Sequence, residues 1–308
     1  MSLAIVFPGQ GSQSIGMMKS FYDEYEIARQ TFQEASDALG YDLWKLVSEG
    51  TAEELNQTEV TQPAMLTAGV VSWRVWQQNN GSQPVMFAGH SLGEYTALVC
   101  AEAINFQDAV KLVAERGRLM QSAVPEGEGA MAAILGLDDE RVIEACASAA
   151  QGEVVEAVNF NSPGQVVIAG QRTAVQRAID TLKETGAKRA LMLPVSVPSH
   201  CQLMVPAAEK MSESLSAIEV NKPVIPVIHN VDVATHVDAD EIRQLLKQQL
   251  HNPVRWVETI QSMSEQGVDT IIECGPGKVL LGLCKRIDKN IKGLAVFDTD
   301  SLANALEG

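Results

Sequence analysis

Ser91 stands between two glycines in Gly89-His90-Ser91-Leu92-Gly93, after the short apolar run Val85 to Ala88 and before a helix-like stretch from Glu94 to Ala103. A serine so placed at a strand-to-helix turn is a nucleophile elbow: small neighbours permit a strained backbone that pushes the hydroxyl into a cleft. Gly-x-Ser-x-Gly arises by chance in roughly one chain in ten of this length, so the motif needs partners before it means chemistry. A serine hydroxyl is a poor nucleophile at neutral pH and requires a base, usually histidine. His90 adjoins Ser91 and cannot easily fold back onto it, while His236 and His251 sit in polar, helix-flanking surroundings that read as surface. His200 and His229 remain, and a structural role stays open for each. His200 is modestly favoured, because Val195-Ser196-Val197-Pro198-Ser199 leads into it at a junction between two structural patterns.

Arg116 is the second residue with chemical content. On a helix over 106–122, Ala109, Leu112, Val113, Leu119 and Met120 form one apolar stripe with Arg116 in its middle, while Arg118 and Lys111 point away. A guanidinium on a buried face is costly unless it meets an anion, since it does not shed its proton. Two readings stay open: an ion pair with a protein carboxylate, or a bidentate clamp on a substrate carboxylate near the nucleophile.

The elements that must position these residues change pattern in mid-chain. The first part reads as strand 3–7, helices and loops over 15–60, a long helix 63–78, strand 85–88, helix 92–102 and helix 106–122, which is α/β. Pro125-Glu126-Gly127-Glu128-Gly129 breaks the periodicity. Strand 130–137, helix 139–150, strand 154–160, a turn at Asn161-Ser162-Pro163-Gly164, strand 165–169, helix 172–185 and strand 188–195 follow, in the βαββαβ order of a ferredoxin-like unit. After Pro198 the α/β reading resumes with helix 202–217, strand 224–229, helices 238–250 and 253–266, strand 268–273 and helix 277–287. The expectation is a discontinuous large α/β domain, residues 1–126 and 197–308, carrying an inserted subdomain, residues 127–196, with a ligand cleft between them.

Composition narrows the function. With 308 residues, 46% hydrophobic and 20% charged, the chain reads as an ordinary soluble globular protein. A net charge of -16 argues against sequence-independent nucleic-acid binding, because nothing would offset repulsion from phosphates. The N-terminus lacks a basic region and no stretch reaches the length of a membrane span, so the expected location is the cytoplasm, with no membrane partner. Five scattered cysteines, at 100, 146, 201, 274 and 284, suggest buried thiols rather than a disulfide framework or a zinc site. Gly9-Gln10-Gly11 lacks the third glycine of a dinucleotide fingerprint, Ser14 standing there, and Gly275-Pro276-Gly277-Lys278 is followed by Val279 and is no phosphate loop. Neither a cofactor nor a metal is expected. Cys201, beside His200, is set aside as a nucleophile because adjacent side chains point apart.

Phe7-Pro8-Gly9-Gln10-Gly11-Ser12-Gln13, Thr61-Gln62-Pro63-Ala64, Gly89-His90-Ser91-Leu92-Gly93-Glu94, Arg116-Gly117, Asn159-Phe160-Asn161-Ser162-Pro163-Gly164-Gln165, Pro198-Ser199-His200 and Asn252-Pro253-Val254 occur in this order. In this the chain resembles the malonyl-CoA:acyl carrier protein transacylases, specifically the free-standing bacterial enzymes of fatty-acid synthesis. The resemblance implies an α/β-hydrolase-like domain with a ferredoxin-like insertion, Ser91 as nucleophile, His200 as general base and acid, and Arg116 as clamp on the malonyl carboxylate. It also implies that the backbone carbonyl of Gln249 orients the imidazole, in keeping with the lack of any marked third acid. The backbone amides of Gln10 and Leu92 match the oxyanion-hole positions, and Gln62 and Asn161 match residues lining the site. The implied partners are malonyl-CoA and a phosphopantetheinylated acyl carrier protein, and the implied state is a monomer. Carrier proteins are acidic, so docking calls for a basic patch. Lys183, Lys188 and Arg189, and Lys278, Lys285, Arg286, Lys289 and Lys292, are the candidates. A serine hydrolase and a non-catalytic carrier-binding protein are the rival classes.

Overall fold

The computed structural model describes residues 2–195 and 197–308. Met1 and Ser196, the first residue of the expected large domain and the last of the expected insertion, lie outside the described residues. Among the described residues nine strands form two sheets: β1 (Leu3–Phe7), β2 (Met86–Gly89), β3 (Gly129–Leu135), β4 (Val155–Ser162), β5 (Gln165–Gln171), β6 (Arg189–Met192), β7 (Val227–Ile228), β8 (Thr270–Cys274) and β9 (Lys292–Val296). One sheet is parallel, in the order β7-β2-β1-β8-β9; the other is antiparallel, in the order β4-β5-β3-β6. The fold is thus α/β with a second, antiparallel sheet.

Every residue of β1, β2 and β8 is buried, because helices cover both faces of the parallel sheet, and this is why those strands read as unbroken apolar runs. The antiparallel sheet is built by the β-α-β-β-α-β sequence expected between 130 and 195. Its helices Asp139–Ala150 and Arg172–Glu184 pack the alternating apolar face of the sheet in a core of their own. Val254, just before the helix Trp256–Glu265, ties that part of the chain to β4: its N–H donates to Val158 O at 2.9 Å and its carbonyl accepts from Phe160 N at 3.0 Å.

Several boundaries depart from the sequence reading. The helix expected from Pro63 begins at Thr58 and carries Pro63 inside it. Thr61 supports this first turn, its Oγ1 donating to Leu55 O at 2.5 Å. The strand expected over 224–229 shrinks to β7, since Pro223 and Pro226 have no N–H to give a ladder. The expected turn at 161–164 narrows to Pro163-Gly164, with Gly164 at φ 72, so Asn161 lies on β4 and not in a loop. Strand β6 is also shorter than the expected 188–195. At the C-terminus β9 and the helix Thr299–Glu307 were not anticipated, although Asp298 and Ser301 form a capping box at that helix start.

Candidate active site

The chain leaves β2 at its carboxyl end, where ligands sit in open parallel sheets, turns at Ser91 and enters the helix Leu92–Cys100. Ser91 itself holds the strained conformation, φ 51 and ψ -108. The flanking glycines serve close approach instead. A Cβ on Gly89 would lie 1.8 Å from Gly93 C, and one on Gly93 would lie 2.0 Å from Phe7 O. Removing side chains there lets the turn press against the end of β1; Gly9 makes the matching approach, a Cβ there lying 2.5 Å from His90 O, and the exposed Gln10 follows it. Leu92 is the first residue of its helix, so its N–H has no intrahelical acceptor.

His200 is the histidine that meets the serine. Its Nε2 lies 2.8 Å from Ser91 Oγ, and its Nδ1 lies 2.7 Å from the backbone carbonyl of Gln249. A carbonyl only accepts, so Nδ1 carries the proton and Nε2 presents a lone pair to the serine hydroxyl. The main chain holds His200 in place too: its N–H donates to Leu250 O at 3.0 Å, and φ is 67. Burial, followed by the charge of Arg116, pushes the imidazole pKa from 6.5 down to about 3, against the pull of the Gln249 bond. His200 is therefore neutral near pH 7, the form in which it can act as a base.

The remaining histidines are accounted for. His229 is fully buried and donates from Nδ1 to Glu94 Oε1 at 2.8 Å, away from Ser91. His90 turns from the serine and donates from Nε2 to Asn161 Oδ1 at 2.8 Å, tying the elbow to β4. His236 and His251 are partly exposed, as their polar surroundings imply, and His236 is held between Asp232 and Glu241.

Arg116 lies on the helix Phe106–Ser122, capped by Asn105, with the anticipated stripe buried around it. It is 1% exposed. Its Nη1 donates to Gln62 Oε1 at 2.8 Å, and its Nη2 donates to Gln249 Oε1 at 3.0 Å and Ser91 Oγ at 3.2 Å. All three acceptors are neutral, and among the described residues no carboxylate pairs with it. The ion-pair alternative therefore falls. The cation lies 5.4 Å from the centroid of the Tyr95 ring, and burial lowers its pKa while Tyr95 and Glu94 oppose the shift. Gly117 explains how Gln62 reaches it: a Cβ there would sit 2.7 Å from Glu59 Cα and Thr58 O, so the glycine lets the helices Phe106–Ser122 and Thr58–Gln78 touch.

Sequence reasoning missed a buried polar layer behind the elbow. Glu94 Oε2 accepts from Asn230 N at 2.9 Å and Gln249 Nε2 at 2.9 Å. Asn230 spans the turn, its Oδ1 accepting from Ser91 N at 2.8 Å and its Nδ2 donating to Gly89 O at 2.7 Å. Among the described residues no group of His, Cys, Asp and Glu could hold a metal ion, no helix is long and apolar enough to cross a membrane, and all five cysteines are buried thiols.

The arrangement can support acyl transfer: a serine hydroxyl bonded to a neutral imidazole that can take its proton, and a buried cation beside the same oxygen that can bind an anion. Comparison with known proteins agrees. Residues 4–296 match the acyl transferase domain family. The chain is 58% identical over 304 residues to the malonyl CoA-acyl carrier protein transacylase of Escherichia coli, covering 99% of this chain and 98% of that one, and 45% identical to its namesake from Bacillus subtilis, covering 99% and 96%. Among solved structures, an acyl carrier protein S-malonyltransferase from Vibrio cholerae superposes with a TM-score of 0.97 at 60% identity, covering 99% of each chain. A malonyl-transacylase solved in complex with a type II polyketide acyl-carrier protein superposes with a TM-score of 0.98 at 57% identity, covering 100% of this chain and 99% of that one.

Proposed function

Since this chain belongs to the malonyl-CoA:acyl carrier protein transacylase family of acyltransferases, we propose that it moves malonyl from malonyl-CoA to the phosphopantetheine thiol of an acyl carrier protein, through a malonyl ester of Ser91, for fatty-acid synthesis. The observation that carries this reading is Arg116: a buried cation with neutral partners only, 3.2 Å from the serine oxygen.

In the first half-reaction Ser91 Oγ attacks the thioester carbon while His200 Nε2 takes the hydroxyl proton. The amides of Leu92 and Gln10 hold the oxyanion. The C–S bond then breaks, the proton passes from Nε2 to the departing sulfur, and coenzyme A leaves a malonyl-serine behind. In the second half the phosphopantetheine thiol gives its proton to His200, its sulfur attacks the ester carbon, and Ser91 Oγ leaves and recovers the proton. The malonyl carboxylate, clamped by Arg116, cancels much of the charge that depresses His200, so the imidazole accepts a proton more readily with the right substrate bound. This couples base strength to a carboxylated acyl group. Every step is supplied by the chain's own groups, without a metal or cofactor.

The two sheets are read as an α/β-hydrolase-like domain, residues 1–126 and 197–308, and a ferredoxin-like subdomain, residues 127–196, in a monomeric, cytoplasmic enzyme. The eight candidate docking cations are all exposed, and Arg286 donates to Gln165 Oε1 at 2.6 Å, at the end of the antiparallel sheet where Leu135 pairs with both Gln165 and Arg189, so Arg286 and Arg189 border one junction. That is where an acidic carrier would dock.

Isotope exchange tests the two-step route. Labelled coenzyme A should enter malonyl-CoA in the absence of any carrier protein, and double-reciprocal plots with both substrates should be parallel. Exchange that requires carrier protein, with intersecting lines, would mean direct transfer and would remove the malonyl-serine from the scheme.

A further inference from the structure

The carbonyl of Gln249 holds His200, but the side chain of the same residue is held just as firmly, and the scheme above gives it no task. It is fully buried at the end of the helix Ala239–Gln249. Its Oε1 accepts from Arg116 Nη2 at 3.0 Å, and its Nε2 donates to Ser91 O at 3.0 Å and Glu94 Oε2 at 2.9 Å. The direction of the amide is forced. Turned over, its N–H groups would face the N–H groups of Arg116, and its oxygen would face the Ser91 carbonyl and the Glu94 carboxylate. Glu94 in turn is fixed, because His229 Nδ1 donates to its Oε1 and Asn230 N to its Oε2.

Arg116 needs such a holder. Its Nε makes no hydrogen bond among the described residues, so apart from the Tyr95 ring beside it the guanidinium is directed by its hydrogen bonds to Gln62, Gln249 and Ser91. With Gln62 as its only amide acceptor the fork could turn away from the serine. We propose that the side chain of Gln249, locked by Glu94, is a positioning residue that holds Arg116 in line with Ser91 and thereby sets the preference for acyl groups ending in a carboxylate. This rests on the roles given above to Ser91, His200 and Arg116. It adds an acid to the site without making it a triad member: Glu94 acts one layer behind, through an amide.

Two variants test it. Gln249→Met has similar length, keeps the backbone carbonyl on His200 and removes the acceptor from Arg116. Glu94→Gln keeps the size of the acid and an oxygen for Gln249 Nε2 but removes the charge that locks the amide. Transfer from malonyl-CoA and from acetyl-CoA to holo carrier protein is measured for each, with thermal melts to show that the variants fold. Gln249→Met should lower the malonyl-to-acetyl ratio of kcat/KM by roughly tenfold or more, the scale of one charge-assisted hydrogen bond. Glu94→Gln should lower the same ratio by a smaller factor. Equal losses on both donors, or an unchanged ratio, would overturn the positioning role. If Gln249→Met does not fold, the near-isosteric Glu94→Gln decides alone. Failure of the unaltered protein to load malonyl on Ser91 would instead overturn the proposed function, and that control involves neither variant.

Discussion

Replacing Arg116 by alanine removes a cation that is 1% exposed and, among the described residues, has no carboxylate partner, so the site loses a buried positive charge next to Ser91. A malonyl carboxylate bound by a guanidinium fork would make two charge-assisted hydrogen bonds, each contributing about 1.5–3 kcal/mol. Losing both removes about 3–6 kcal/mol, or roughly 10²- to 10⁴-fold in kcat/KM for malonyl-CoA. Acetyl-CoA makes neither bond, so Arg116→Ala should retain or gain activity on it. Arg116→Lys keeps the charge but not the fork, and should fall between. The electrostatics add a second signature. The Arg116 charge is the second cause, after burial, of the low pKa of His200, so Arg116→Ala should raise that pKa above about 3. A base works only while neutral, so the acid limb of acetyl transfer should move to higher pH. The assay is initial-rate transfer to holo carrier protein from each donor, resolved by mass, at a series of pH values. If malonyl and acetyl transfer fall by the same factor and the acid limb stays in place, Arg116 is not the carboxylate clamp.

Two further outcomes follow from the same geometry. The unfolded chain protonates His200 near pH 6.5 and the native one only near about 3, so the native state is progressively destabilised as pH falls through that window. Replacing His200 by glutamine should flatten this acid loss, measured by urea unfolding between those pH values, while abolishing transfer; an unchanged acid slope would place the titration elsewhere. Gly117→Ala would put a Cβ 2.7 Å from the backbone of the neighbouring helix and force Gln62 away from Arg116. It should lower both the melting temperature and kcat/KM for malonyl-CoA, and a fully active, equally stable variant would show that the helix contact is dispensable.

Ser91, His200 and Arg116, which the structure brings together, could be singled out because each conflicts with its local surroundings: a hydroxyl amid glycines, an imidazole at a change of pattern, a cation in an apolar stripe. Local pattern also carried the βαββαβ order, since alternation and helical period are short-range signals. It failed where the meaning of a residue lies far along the chain. Glu94 reads as an ordinary acid in the first turn of a helix, yet its partners His229 and Gln249 stand 135 and 155 positions away. Asn230 reaches Ser91 across 139 positions, and no spacing marks it as the residue spanning the elbow. The C-terminal capping box at Asp298 and Ser301 is different, for there the signal was local and was overlooked.

The most direct test is intact-protein mass spectrometry after brief incubation with malonyl-CoA, with Ser91→Ala in parallel. The expected result is a single added malonyl group, absent from the variant and discharged when phosphopantetheinylated carrier protein is supplied. An unmodified protein accompanied by free malonate would contradict the malonyl-serine account and indicate a hydrolase, and an adduct that persists in Ser91→Ala would place the nucleophile elsewhere.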